Sequence, residues 1–193
     1  DVDDRHKTRL RTYEQVLYRY GLNRARVFLC QNQYQYDRLK NQYPSTTAHI
    51  LHNPIDIDRD LPPSRTCGER VYVAWLGVFS SQKNLPLLHQ IAKSLPGIEF
   101  RVAGMPGKGM DKETRSAVEY LGRLPNVKFE GYVKRGDVLG FLAGAKALLS
   151  TSFYEGFSNT FLEAFFAGTP VIAPLRVDPD HIITRKELGL TTD

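Results

Sequence analysis

Two glutamates with seven residues between them, Glu155 and Glu163, flank the predicted start of a helix. The residues between them suit a polyhydroxylated anion. Ala145 to Leu149, apolar apart from Lys146, is a run of strand length. Ser150 to Phe157 then forms a loop containing Gly156, and a helix is expected from Ser158 or Asn159 to Ala167. Serine and asparagine favour the N-cap because their side-chain oxygens accept from free backbone N–H groups. Gly168 ends the helix as a C-terminal glycine. The N-terminus of such a helix offers N–H donors and partial positive charge to a phosphate. A carboxylate accepts two hydrogen bonds from a vicinal diol. A strand–loop–helix unit occurs in every α/β domain, so the glutamate pair alone does not separate a ligand site from two solvated charges.

The surrounding residues narrow the reading. The stretch Glu155-Gly156-Phe157-x-Asn159-Thr160-x-x-Glu163-Ala164, continued by Gly168-Thr169-Pro170-Val171-Ile172, resembles the signature of the retaining glycosyltransferases of family 4, also called group 1. The resemblance implies a GT-B fold of two facing Rossmann-like domains, with this segment in the C-terminal, donor-binding one. It also implies hexosyl transfer from a UDP- or GDP-sugar to a glycan or lipid-linked acceptor, with no cofactor and no metal. By the same resemblance Glu163 holds the ribose hydroxyls and Glu155 contacts the donor sugar. The backbone of Gly156, Phe157, Ser158, Asn159 and Thr160 then approaches the sugar and phosphates.

The elements that must position these residues alternate regularly. Strands are expected at 71–76, 98–103, 127–130, 145–149 and 170–173, and helices at 85–95, 111–124, 137–143 and 159–167. That order predicts an α/β fold with a Rossmann-like parallel sheet, right-handed crossovers and helices on both faces. Ligands of such sheets sit beyond the carboxyl ends of the strands.

The first strand is followed by Gly77-Val78-Phe79-Ser80-Ser81-Gln82-Lys83-Asn84, which resembles the loop whose arginine and lysine hold the donor diphosphate. Gly77 lets the backbone come close, and Lys83 is a point charge for two phosphates. Val78 occupies the arginine position. Trp75-Leu76-Gly77 and Lys83-Asn84-Leu85-Pro86, with Val177-Asp178-Pro179-Asp180 and Leu188-Gly189-Leu190, look like a bacterial polysaccharide-type branch in which Val78 is a branch feature. Gly104 opens a flexible glycine-rich loop that resembles the family's nucleoside-side loop. Tyr132 follows the third strand, where the family places the base. The catalytic pair implied by the resemblance is Glu155 and Lys83, with Glu155 in a positioning role.

Composition bounds the rest. The chain has 193 residues, 41% of them apolar, with 26 basic and 21 acidic side chains and a formal charge of +5. No basic run interleaved with aromatics argues for nucleic acid. The mild excess is compatible with anionic donors or with peripheral contact at an anionic membrane surface. Cys30 and Cys67 lack metal-ligand spacing, so a reducing compartment is expected, cytoplasmic or at the inner membrane surface. The five histidines show no pair at metal spacing.

Residues 1–52 read as the tail of an N-terminal acceptor domain, with helices at 5–20 and 31–43 and strands at 26–30 and 48–51. Residues 53–70, opening on Asn53-Pro54-Ile55-Asp56, read as the interdomain linker, and 71–193 as the nucleotide-sugar-binding domain. A complete two-domain transferase would be roughly twice this length. The isolated chain is therefore expected to be an inactive fragment. A sugar-nucleotide epimerase of related fold and a non-catalytic nucleotide-binding module are the alternatives.

Overall fold

A computed structural model describes residues 12–55, 69–108 and 110–193. The expected start of the first helix at 5–11, the linker body at 56–68 with Cys67, and Gly109 lie outside the described residues. The chain divides into two compact units, Asp1–Pro54 and Ile55–Asp193.

In the first unit, α1 (Thr12–Arg24), β1 (Val27–Cys30), α2 (Gln33–Gln42) and β2 (Thr47–Ile50) form one β-α-β turn, with β1 and β2 parallel. Asn32 caps α2 by accepting from the Gln35 N–H at 2.9 Å. Helix α1 does not stop at Gly21. It continues to Arg24, and the Gly21 carbonyl accepts from Ala25 N at 2.9 Å. The common glycine stop turns left-handed, and Gly21 does not. Cys30 is buried, and burial pushes its thiol pKa up.

The second unit holds β3 (Tyr72–Leu76), α3 (Leu85–Ser94), β4 (Glu99–Ala103), α4 (Lys112–Leu121), β5 (Val127–Gly131), α5 (Val138–Ala143), β6 (Ala145–Leu149), α6 (Asn159–Phe166), β7 (Val171–Pro174), α7 (Ile182–Arg185) and β8 (Gly189–Thr192). The six strands are parallel in the order β5-β4-β3-β6-β7-β8. This is the expected Rossmann-like α/β class. The sequence reading did not anticipate α7 and β8. Four residues are too few for a helical period, and Gly189-Leu190-Thr191-Thr192 has no apolar run. Asp178 organises that corner. It is 7% exposed and accepts from Ile183 N, Thr184 N and the Thr184 hydroxyl at 2.8, 3.2 and 3.1 Å.

Strand alternation builds two cores, one on each face. Tyr72, Ala74, Ala145, Leu148, Val171 and Ala173 pack with Leu142, Phe161, Ala164 and Ile183 from α5, α6 and α7. On the other face Trp75, Phe100, Val102 and Leu149 pack with Leu85, Leu88, Ala117 and Leu121 from α3 and α4. Buried on both sides, the central strands are mostly apolar, and in β6 all of Ala145, Ala147, Leu148 and Leu149 are buried while Lys146 is exposed. Helix α6 ends as the sequence implies. Gly168 has φ +67°, Thr169 N donates to Ala164 O at 2.8 Å, and Gly168 N donates to Phe165 O at 3.1 Å.

Beyond the strand ends the loops remain zipped. Gly77 N donates to Ala103 O at 3.0 Å, Phe79 N to Met105 O at 2.9 Å, Gly107 N to Phe79 O at 3.0 Å, and Gly104 N to Gly131 O at 2.7 Å. The glycine-rich loop after β4, expected to be flexible, is thus tied to its neighbour through position 107. Gly104 has a packing reason to be glycine. Its φ is +153°, and a Cβ there would lie 1.9 Å from the Gly77 carbonyl oxygen. Gly104→Ala should lower stability by more than about 1 kcal/mol, since a clash with backbone outweighs the entropic gain of replacing glycine. Chemical denaturation of the two proteins checks this.

Candidate functional site

In the sheet order, β3 is flanked by β4 on one side and β6 on the other. The chain runs outward from β3 to β5, then returns to β6 and continues the opposite way. The loops after β3 and β6 therefore diverge at the point where the order reverses, which is where open α/β sheets leave a crevice. These are the two loops that carry Lys83 and Glu155.

Besides the contact between those two side chains, four hydrogen bonds join the loop after β6 to the end of β3 and the loop that follows it. The Trp75 indole N–H donates to Thr151 Oγ1 at 3.1 Å, and the Thr151 hydroxyl donates to the Lys83 carbonyl at 2.6 Å. Phe153 N donates to Gln82 O at 2.9 Å, and Gln82 Nε2 donates to Tyr154 O at 2.9 Å. One buried hydroxyl thus both accepts and donates. Trp75 and Thr151 are 2% and 1% exposed, so neither can exchange these bonds for water. Lys83 closes the short turn Ser81–Lys83, and Asn84, left-handed at φ 48°, caps α3.

The clamp sets Lys83 Nζ 2.5 Å from Glu155 Oε1, with the two side chains only 20% and 10% exposed. The same oxygen accepts from the Ser152 hydroxyl at 2.7 Å. Gly77 leaves the lane for the lysine stem, since a Cβ there would lie 3.3 Å from the Lys83 Cε. A narrow pocket beside the pair is lined by Trp75, Lys83, Ser150, Ser152, Ser158 and Thr160.

Helix α6 starts at this pocket. Ser158 is its N-cap residue in extended geometry, but its side chain makes no cap bond. Its hydroxyl instead shares a hydrogen bond with Thr160 Oγ1 at 2.7 Å. Phe157 is 6% exposed and Ser158 7%, so their side chains anchor the loop, whereas Asn159 is exposed. Glu163 lies on the second turn, partly buried, and its carboxylate accepts no hydrogen bond among the described residues. Burial raises its pKa above the usual carboxylate range, and Arg135 in the turn after β5 partly offsets that.

The other expected residues sit on the loops after β4 and β5. Gly104 faces the Gly77 carbonyl, and Tyr132 is 71% exposed after the left-handed Gly131. Val78, at the position where the family resemblance implies an arginine, is 56% exposed. The structure thus brings Gly77, Lys83, Glu155, Ser158 and Thr160 together. Sequence reasoning gave no site role to Thr151, Ser152, Gln82 or Arg135, and used Trp75 only as part of the branch pattern. The hydroxyl run Ser150-Thr151-Ser152 directly after a buried strand was the available signal. Among the described residues no three His, Cys, Asp or Glu side chains are grouped to hold a metal ion. No helix there is long and apolar enough to cross a membrane.

The raised carboxyl of Glu163 has a sign that can be tested. A folded-state pKa above the unfolded one contributes stability that is fully present below the unfolded value, about 4.3, and is lost as pH rises through the folded value. Glu163→Gln should therefore raise the thermal midpoint of the ligand-free protein at pH 7. The advantage should vanish below about pH 4.3, where both side chains are neutral. Melting curves across that range decide it.

Comparison with known proteins gives a consistent picture. Residues 56–192 match the family described as glycosyl transferases group 1. No curated protein matches the chain. Among solved structures, a point mutant of S. aureus TarM in complex with fondaparinux, alpha-GlcNAc-glycerol and UDP superposes with TM-score 0.73 at 19% identity, covering 99% of this chain and 38% of that one. The pneumococcal O-GlcNAc transferase GtfA, in complex with UDP and GlcNAc, gives 0.67 at 18%, covering 91% and 36%. WaaG, a glycosyltransferase involved in lipopolysaccharide biosynthesis, gives 0.63 at 22%, covering 84% and 48%. At these identities the likeness is one of fold. The chain spans less than half the length of each of these three.

Proposed function

Because the chain belongs to the group 1 glycosyl transferases, we propose that it carries the donor site of a retaining enzyme of family 4. That enzyme moves a hexose from a UDP- or GDP-sugar to a glycan or lipid-linked acceptor at the cytoplasmic face of a membrane. The observation that carries the reading is the Lys83–Glu155 pair, held at the sheet's reversal point beside the start of α6. UDP in two of the superposed structures supports a nucleotide donor.

Each residue then has a task set by its surroundings. Lys83, fixed by its main chain, meets the diphosphate with a compact ammonium that offers three donors. The N–H groups at the start of α6 face the same phosphates. Glu163, whose carboxylate is not engaged by a hydrogen bond among the described residues, accepts from the ribose diol. Glu155 accepts from the hydroxyls of the sugar being moved. As the bond between the anomeric carbon and the diphosphate breaks, its electron pair stays on phosphate oxygen, and Lys83 stabilises that growing charge. Val78 provides no second cation on the same loop, so Lys83 carries more of that task.

The reading predicts distinct losses in the full-length enzyme. Lys83→Ala should weaken nucleoside diphosphate binding by roughly 1.5–3 kcal/mol, the range for a hydrogen bond to a charged group, and should affect the free nucleoside less. Glu163→Gln should mainly raise the donor KM, because ribose contacts are equal in ground and transition states. Glu155→Gln should mainly lower kcat. Calorimetry and steady-state kinetics test these outcomes. Equal losses for nucleoside and nucleoside diphosphate in Lys83→Ala would remove Lys83 from the phosphate site.

A further inference from the structure

We infer that Glu155 also works against the product: it makes the site prefer a nucleotide sugar over the nucleoside diphosphate left after transfer. This rests on the reading of Lys83 as the diphosphate ligand, and it adds a repulsive element that the reading lacks.

The argument starts from the ligand-free pair. Glu155 Oε1 lies 2.5 Å from Lys83 Nζ and also accepts from Ser152 at 2.7 Å. The Thr151 clamp holds the lysine main chain, and the stem runs along the lane left by Gly77. Lys83 thus has little freedom to carry its charge away from Glu155. A phosphate at hydrogen-bond distance from Nζ is necessarily close to the Glu155 carboxylate, in a site where both side chains are largely covered. Like charges at such separation repel strongly when water is displaced. Diphosphate and Glu155 therefore compete for one cation.

A sugar changes the balance. Its hydroxyls donate to Glu155 and replace the ammonium the carboxylate gives up. A bare nucleoside diphosphate presents only acceptors at this position, so Glu155 keeps Ser152 alone and faces an anion. When the sugar leaves for the acceptor, the Lys83–Glu155 pair re-forms and the diphosphate is displaced. The preference is a difference between two affinities, created by an unfavourable contact with the wrong ligand. If Glu155 only held sugar, its removal would leave diphosphate affinity unchanged. Under this inference, its removal strengthens diphosphate binding.

The experiment is calorimetry on the full-length protein at fixed ionic strength. The probes are inorganic pyrophosphate and whichever of UDP or GDP the wild type binds more tightly. Glu155→Gln should bind both probes about fivefold more tightly than wild type, since it removes the competing charge and keeps the shape. Should the amide variant not fold, Glu155→Ala removes the same charge and should shift binding in the same direction. Equal or weaker binding by the folded variant overturns the inference. Lys83→Ala is the control for the underlying reading. If it leaves pyrophosphate affinity unchanged, or if wild type binds neither probe, the donor-site assignment itself fails. If Lys83→Ala weakens binding while Glu155→Gln does not strengthen it, only this inference fails.

Discussion

One hydroxyl group holds the candidate site together. Thr151 Oγ1 takes the Trp75 indole N–H on one side and gives its proton to the Lys83 carbonyl on the other. Both bonds are sheltered from water, so losing either would leave a buried polar group unsatisfied. Through them, the end of β3, the lysine turn and the loop after β6 become one unit. The Lys83–Glu155 pair, the lane beside Gly77 and the placement of Ser152 against Glu155 all follow from that junction.

The junction depends on the sheet beneath it. Trp75 belongs to the core with α3 and α4, whereas Tyr72 and Ala74 of the same strand belong to the core with α5, α6 and α7. Strand alternation therefore pins β3 from both faces and fixes where its last residues point. Its neighbour β6 is pinned likewise, with Leu148 on one side and Leu149 on the other. Two such strands can hold their following loops at a constant separation, which side-chain bonds then consolidate. The backbone zipper from Gly77 to Gly107 extends the same stiffness to the loop after β4. Asn126 adds to the β4–β5 side, donating from Nδ2 to the carbonyls of Ala92, Leu95 and Ile98, each at 3.0 Å.

Charge is distributed unevenly over this rigid base. Glu155 is matched by a cation and a hydroxyl, whereas Glu163 is partly desolvated and, among the described residues, Arg135 offsets that in part. A group held at a cost to stability in the free protein is placed to gain from a ligand, the usual tension between activity and stability. The two glutamates share a residue type but not an environment. The environment separates a carboxylate already engaged from one still open.

The local elements were legible in the sequence. Ala145–Leu149 is a strand because a run apolar at every position but Lys146 lies between Gly144 and Ser150, and α6 runs between Ser158 and the left-handed Gly168. Asp111, the predicted first residue, is the N-cap of α4 and accepts from Thr114 N at 2.8 Å, so the helix starts one residue later, at Lys112. Such features depend on residues within a few positions of each other, so period and capping chemistry reveal them. The motif from Glu155 to Ala164 lies on the loop and helix start that the fold sets beside Lys83. The pairing of Lys83 with Glu155 was not legible, nor was the part played by Thr151, which lies 76 positions from Trp75 and 68 from Lys83. These contacts follow from β3 and β6 being neighbours, a result of strand order that no local pattern encodes. Sequence determined the residues available at the ends of the strands. The tertiary fold decided which of them meet, because only the packing of the sheet between its two cores brings those ends together.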